Sequence, residues 1–342
     1  MTSPPQPPRG PLSGAQAQAH SAPRVPSPGH DLPGRARELG EFSTHLTGQP
    51  KISPEQRRAL VLLELIDDES PVVTAAIRTE LLALGDSACG ALRRATGDER
   101  PRVRARARTI LAEIEWKREW RRLSRTATGG KQLDLEASLF RMARLDDPKF
   151  DARGYRKALD AMAKEVRTRA EKATDSVTTP MALVDYLGNE LGYIGSEVDY
   201  DHPDNIHLHR AIVRKRGMPL TLTAVYLCVA RRAGIRAAAV PLPGHILLRL
   251  YAGRRSILVD PFHGGRMRTR ADCLSHLARH GLVPRPEWMQ DATDAQLFQR
   301  QVRNLMNSMQ MRGLRTRSDS LAVLAGALAR TEAACRSIST GE

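Results

Sequence analysis

Aromatic residues and cysteines are both scarce in this 342-residue chain. Phe, Trp and Tyr together make up 4% of the residues, so the hydrophobic core has to be built from aliphatic side chains. The four cysteines are scattered without disulfide or metal-ligand spacing, which favours free thiols in a reducing compartment. No apolar run approaches the ~20 residues of a membrane helix, and the N-terminus lacks the organisation of a signal peptide. The sequence therefore predicts a cytoplasmic protein without a membrane segment.

The formal net charge of +15 is compatible with several classes of binding partner. Nucleic acid, an acidic protein or an anionic membrane surface could each explain it. The densest basic segment starts with alternating arginines at 102–108, and alternating residues on a helix do not form one stripe. We therefore expect solvated basic faces, and nucleic-acid binding that is weak and non-specific at most.

The first third of the chain contains two different kinds of segment. Residues 1–50 are rich in Pro, Gly, Ser and Gln without apolar periodicity, which predicts a disordered tail. Residues 51–125 are helical in pattern and contain a repeat: Asp68-Glu69-x-Pro71-x-Val73 is echoed by Asp98-Glu99-x-Pro101-x-Val103. A single repeat cannot bury its own apolar stripe, so we expect two stacked helix pairs of the HEAT type.

The most informative stretch lies between residues 205 and 265. Leu220 to Ala233 are apolar on nearly all sides, which predicts a buried helix. Pro219 suits the first turn of this helix, and Gly234 suits its C-terminal cap. Three strand-like runs follow at 237–242, 246–251 and 256–259. The fold class is therefore expected to be α+β, with a buried helix packed on a small antiparallel sheet.

The last two strand-like runs flank Ala252-Gly253, which is typical of a two-residue hairpin turn. Such a turn would place His245 opposite Asp260 with their β-carbons about 5 Å apart. A different loop length would shift this register by about a residue. A carboxylate that orients an imidazole near a helix N-terminus is the layout of a papain-like or transglutaminase-like acyl-transfer site.

This stretch resembles the transglutaminase-like superfamily, and closely its bacterial SirB-type branch, the second transglutaminase-core family. The resemblance is carried by Asn205, Gly217, Pro219, Thr221, Pro243, Gly244, His245, Asp260, Pro261, Phe262, Gly264 and Gly265. It implies that all of these residues apart from Thr221, His245 and Asp260 belong to the pocket around those three. It implies a papain-like core over residues 131–284, followed by a helical appendage at 285–342. Active members carry a cysteine at the start of the core helix. Here Pro219 stands at that position, and Thr221 lies where the SirB-type branch usually has serine.

These residues leave two functions open. An acyl-transfer enzyme of the peptidase or amidase type would use Thr221 as nucleophile, His245 as general base and Asp260 to orient it. However, a threonine has no readily formed thiolate, and its β-branch restricts rotation toward a base. We therefore expect neither a transglutaminase nor a cysteine protease, but a non-catalytic regulatory module that binds a protein partner. In that case Thr221 or Met218-Pro219 caps the helix, and His245 and Asp260 make a structural hydrogen bond.

A metal site is a further alternative, because this part of the chain contains His202, His207, His209, His245 and His263. On a helix, His207 and His209 would point to different faces. No Cys or Glu lies at metal-ligand spacing from them. We therefore expect no metal and no other cofactor.

Overall fold

The structure is a computed structural model that describes residues 52–129 and 132–340, with side chains up to residue 333. The tail predicted at 1–50 lies outside these ranges, as does the side chain of Cys335. From Ile52 onward the chain forms one compact unit.

The predicted helical region contains four helices that pack on one another: α1 (Pro54–Glu64), α2 (Pro71–Leu84), α3 (Asp86–Ala95) and α4 (Pro101–Ala127). Three of them have proline in the first turn, where no N–H is needed for the helix. They share a core of their own that includes Ile77, Leu81 and Val103. The α4 helix then extends into the main core through Trp116 and Leu123, so one continuous helix joins the two regions.

The next region consists mainly of helices. These are α5 (Leu135–Ala143), α6 (Arg153–Glu171), α7 (Thr178–Val184), α8 (Pro203–Ile206) and α9 (Leu208–Arg214). The α7 helix continues as a π-helical turn at Asp185–Glu190. Two short strands, β1 (Ile194–Gly195) and β2 (Arg216–Gly217), pair in parallel just before the core helix.

The predicted core helix is confirmed as α10 (Pro219–Ala233). Thirteen of its 15 residues are buried, because other elements surround it. Gly234 ends the helix at φ 76°, the left-handed conformation that glycine adopts without strain. The N-cap is Met218, followed by Pro219 in the first turn, which is one of the two predicted alternatives. Thr221, the other alternative, makes no capping hydrogen bond.

The sheet that follows is antiparallel, in the order β3 (Ala237–Leu242), β4 (His245–Ala252), β5 (Arg255–Asp260) and β6 (Arg266–Arg268). Three of these strands agree with the predicted runs, whereas β6 was not predicted. On one face, Ala239, Ile246 and Leu248 pack into the core with α10. On the other face, Leu242 and Leu247 pack against Cys273 of α11 (Arg270–Arg279). An α+β core is therefore present.

The last two helices, α12 (Asp294–Met311) and α13 (Arg315–Thr340), complete the same core. Leu297, Phe298 and Val302 of α12 are almost fully buried in it. The segment predicted as an appendage from residue 285 is thus an integral layer of the domain. Within the described part of the chain, no helix has both the length and the apolar character needed to span a bilayer.

Candidate functional site

The contact predicted between His245 and Asp260 is present, although the predicted register is wrong. The hairpin turn is Gly253-Arg254, because Ala252 pairs with Arg255 and Leu248 pairs with Val259. The predicted turn at Ala252-Gly253 would have paired Leu248 with the residue two positions earlier. A shift of two residues keeps every side chain on its face of the sheet. His245 Nε2 therefore still lies 3.0 Å from Asp260 Oδ2.

Asp260 is buried, and its carboxylate is surrounded by nitrogen atoms. Oδ1 accepts a hydrogen bond from the backbone N–H of Phe262 at 3.2 Å. Oδ2 lies 2.7 Å from His263 Nδ1, and Arg268 donates to it from Nη2 at 3.0 Å and from Nε at 3.2 Å. Burial opposes ionisation of this carboxyl. The close imidazoles of His245 and His263 outweigh it and hold the pKa of Asp260 well below the usual range.

The His245 ring is close to Asp260 but is not aligned with it. Nε2 of His245 is buried and has no well-formed hydrogen bond among the described residues, despite the 3.0 Å separation. The contact is therefore an ion-pair distance rather than a directed hydrogen bond. A general base held by a carboxylate normally has that directed bond.

Four histidine rings follow one another through this site. The ring centroids are 5.9 Å apart between His263 and His245, 5.9 Å between His245 and His276, and 4.5 Å between His276 and His280. Nε2 of His276 donates to the carbonyl of Pro243 at 2.9 Å, which ties the row to the turn before β4. The sheet and α11 together therefore bring imidazoles from three elements into one place.

A cavity of about 370 Å³ opens beside this row. Its lining comes from the sheet on one side and from α11 on the other. Among the lining residues are His245, Asp260, His263, Arg268, Cys273, His276 and Arg279. Of the predicted catalytic residues, His245 and Asp260 line this cavity.

Thr221 does not line it. Its side chain is fully buried, and its hydroxyl donates to the carbonyl of Ile206 at 3.2 Å and accepts from Gln301 Nε2 at 2.8 Å. Among the described residues, His245 is not one of its hydrogen-bond partners. The sheet geometry explains this. His245 and Asp260 lie on the same face as Leu247, opposite the face that packs on α10. In this structure Thr221 therefore does not join the His–Asp pair, as the acyl-transfer alternative would require.

The nearby cysteines do not replace Thr221 as a nucleophile. Cys228 lies inside α10, and burial strongly raises the pKa of its thiol. Cys273 faces the cavity but is almost fully buried, and burial raises its thiol pKa as well. A buried thiol of raised pKa carries little thiolate at neutral pH.

The predicted residues before α10 build its N-terminus. The Asn205 side chain donates to the carbonyl of Asp199 at 2.8 Å and accepts from Arg214 Nη1 at 3.1 Å. Its backbone carbonyl accepts from Met218 N at 2.9 Å. A side chain at Gly217 would come within 3.2 Å of that carbonyl, and the buried Pro219 fills the first turn. These residues are structural here.

The predicted residues around the sheet shape the turns that carry His245 and Asp260. Pro243 and Gly244 form the turn before β4, and Pro261 starts the short 3-10 turn after Asp260. The ring of Phe262 contacts His245 edge-on at 6.1 Å. Gly264 and Gly265 both have positive φ, and a side chain at Gly265 would clash with Val184 at 2.5 Å.

Sequence reasoning missed Arg268, Cys273, His276 and Arg279 as members of the site. Three of them follow one face of α11 at spacings of three residues. That spacing is visible in the sequence, but only the fold shows which surface it faces. His263 was considered only as one of several histidines.

Comparisons with known proteins agree with this fold. A family model described as the transglutaminase-like superfamily matches residues 153–303. A UPF0162 protein of Xylella fastidiosa strain Temecula1 is 33% identical over 134 residues, which cover 39% of this chain and 48% of that protein. The human F-box only protein 21 is 28% identical over 102 residues, 28% of this chain and 16% of that protein. No solved structure matches significantly.

Residues 153–303 thus form a transglutaminase-like superfamily domain. The match begins after the predicted start at residue 131 and extends past the predicted end at 284, into α12. The chain spans about half the length of the Xylella proteins that it matches.

Proposed function

We propose that this transglutaminase-like domain, of the SirB type, acts as a non-catalytic regulatory or protein-binding module. The hydroxyl of Thr221 carries the proposal. It is fully buried and bonds to Ile206 and Gln301, so this hydroxyl is not free to attack a carbonyl. Nucleophilic catalysis requires a free nucleophile beside its base.

A protein partner fits the exposed surface of the helical region. Val61 and Leu65 of the α1 segment and Val72 of α2 each expose more than half of their surface. Val61 and Leu65 are four residues apart and therefore neighbours on one helical surface, and adjoining exposed apolar residues are typical of protein-binding sites. The contacts of α1 with α3 and of α2 with α4 are those expected of stacked HEAT-type repeats, which often serve as binding scaffolds.

The basic residues of α4 support a protein partner over nucleic acid. Arg104 donates to the carbonyls of Asp98 and Glu99, and Arg106 donates to those of Ile66 and Asp68. Side chains held in this way stabilise the helical region and are less available to phosphates. We therefore propose cytoplasmic protein recognition with weak, salt-sensitive contact to nucleic acid at most.

The alternative is an acyl-transfer enzyme that uses Thr221, His245 and Asp260. The experiment compares two valine variants on the same helix. Thr221→Val removes a hydroxyl with two partners, and Thr223→Val removes a buried hydroxyl with no hydrogen-bond partner among the described residues. We expect Thr221→Val to lower the free energy of unfolding by about 1–2 kcal/mol and Thr223→Val to leave it unchanged or raise it. Urea unfolding measures both.

The same variants test catalysis. In assays of activated-ester hydrolysis and of amine incorporation into a glutamine peptide, we expect no turnover that depends on Thr221. Thr221→Cys should add a thiol that iodoacetamide alkylates no faster than an ordinary buried cysteine. Intact mass spectrometry of the variant and of the wild-type chain counts the alkyl groups that are added. A folded Thr221→Val protein that loses turnover, together with a fast-reacting Thr221→Cys thiol at pH 7, would favour the enzyme instead.

A further inference from the structure

In the cluster of His245, Asp260 and His263, more nitrogen atoms surround the Asp260 carboxylate than it can accept hydrogen bonds from. Four nitrogen atoms lie within 3.2 Å of one oxygen, Asp260 Oδ2. A carboxylate oxygen offers about two lone-pair sites. The short contacts around this oxygen therefore cannot all be good hydrogen bonds.

Nδ1 of His263 also has two short contacts that cannot both be hydrogen bonds. Its Nδ1 lies 2.7 Å from Asp260 Oδ2 and 3.2 Å from Arg268 Nη2. If Nδ1 carries a proton, it can donate to Asp260 but cannot accept from Arg268. If Nδ1 is unprotonated, it can accept from Arg268 but its lone pair faces the carboxylate oxygen. Either way only one of the two short contacts is a hydrogen bond, and a cation bound by Nδ1 and Oδ2 would use the lone pair that faces the carboxylate.

The positions of the donor atoms suit a metal ion. One donor atom from each of His245, Asp260 and His263 lies within 4.8 Å of the others. Tetrahedral bonding at 2.0–2.1 Å requires donors roughly 3.3 Å apart. The Asp260 oxygen is already 3.0 Å and 2.7 Å from the two imidazole nitrogens. The buried, unaligned Nε2 of His245 is then explained as a ligand atom.

We infer that His245, Asp260 and His263 bind a divalent transition-metal ion, with coordination positions left open to the 370 Å³ cavity. Two imidazoles and one carboxylate form a ligand set used for zinc and for non-haem iron(II). The inference goes beyond the proposed function, since a binding module could hold such an ion as well as an enzyme could.

Arg268 decides how tightly the ion binds. Its guanidinium lies against the same oxygen that would ligate the metal, so it competes with the ion and repels it. Its side chain is about one quarter exposed and can swing toward the cavity. Removal of this charge should therefore strengthen metal binding, whereas it would weaken the binding of an anion.

The experiment is calorimetric titration of ZnCl₂ into the full-length chain, prepared without a histidine tag, at pH 7.5. We expect one equivalent of zinc to bind. His263→Ala should weaken it at least tenfold, in line with the roughly 10–100-fold effects of changes around metal sites. Arg268→Met, which keeps the apolar stem, should tighten it by about tenfold. His202→Ala is the matched control, because its side chain has the same 47% exposure, and it should leave the affinity unchanged.

A parallel titration with inorganic phosphate tests whether the cavity binds an anion instead of a cation. Stoichiometric phosphate binding that Arg268→Met abolishes, without zinc binding, would make the cavity an anion site and overturn the inference. Zinc binding that survives His263→Ala unchanged, or that Arg268→Met weakens, would overturn it too. So would the absence of zinc binding at 100 μM, about the weakest affinity expected of a specific site. Circular dichroism confirms that each variant is folded.

Discussion

Two groups of histidines in this domain use the same residue types in different ways. In the packed group, His207 pairs with Asp146 at 2.6 Å, and the buried His209 contacts the rings of Phe150 and Tyr155. In the cavity group, His245 and His263 converge with an arginine on one oxygen of Asp260, and His263 is half exposed. In the packed group one imidazole pairs with one carboxylate and the other packs against aromatic rings, whereas in the cavity group more donors surround the carboxylate than it can accept from.

The difference indicates which group serves stability and which serves binding. Burial and, to a smaller extent, the neighbouring His207 together lower the pKa of His209 to about 4, so its ring is neutral at pH 7 and packs like an aromatic side chain. The packed group also lies next to Ile206, whose backbone carbonyl accepts hydrogen bonds from Thr221 and Gln301. Changes on the packed side should therefore cost stability, whereas changes in the cavity should mainly alter binding.

The largest effect is expected from Gln301→Ala. The Gln301 amide is fully buried, donates to Ile206 and Thr221, and accepts from Asn304. Its removal leaves a cavity and unpaired groups, so the free energy of unfolding should fall by about 3 kcal/mol. Urea unfolding measures this loss. Gln310→Ala, at an exposed position of the same helix, is the control and should cost no more than about 0.5 kcal/mol. Equal losses in the two variants would contradict a special role for the packed side.

The next effect is a pH dependence that comes from His209. Its pKa is about 4 in the folded state and 6.5 without burial, so the unfolded chain binds the extra proton as the pH falls between these values. The stabilisation is complete above pH 6.5 and is lost as the pH falls toward 4. From pH 7 to pH 5 this group alone should reduce stability by about 2 kcal/mol. His209→Phe keeps an aromatic ring and should remove most of that slope in urea unfolding. An unchanged slope would mean that His209 does not titrate in this way.

Sequence reasoning predicted the parts of this domain that depend on local pattern. The apolar run between Pro219 and Gly234 forms a buried helix because it has almost no polar face before Arg231 and Arg232. His245 and Asp260 meet although the turn was misplaced, because the error of two residues matches the period of a strand. Knowing which residues of each strand share a face of the sheet was therefore enough to predict this contact.

The parts that escaped prediction depend on distant partners. Gln301 lies 80 residues from Thr221, and nothing near Thr221 indicates that its hydroxyl is already used. Arg268 belongs to a three-residue edge strand that is too short to show a pattern. The face of the sheet that carries His245 also depends on where α11 packs, which is a property of the tertiary fold.

The smallest effect is expected from His263→Ala, and it tests the comparison most directly. If Asp260 had only this partner, loss of the imidazole would leave a buried carboxylate short of a donor and would cost about 1–3 kcal/mol. Arg268 still donates twice to the same oxygen, and His245 stays within 3.0 Å, so the carboxylate remains compensated. The free energy of unfolding should then change by less than about 1 kcal/mol in urea titration at pH 7.5 without added metal. A loss above about 2 kcal/mol would mean that His263 is needed to hold Asp260 in place. The cavity group would then serve stability in the same way as the packed group.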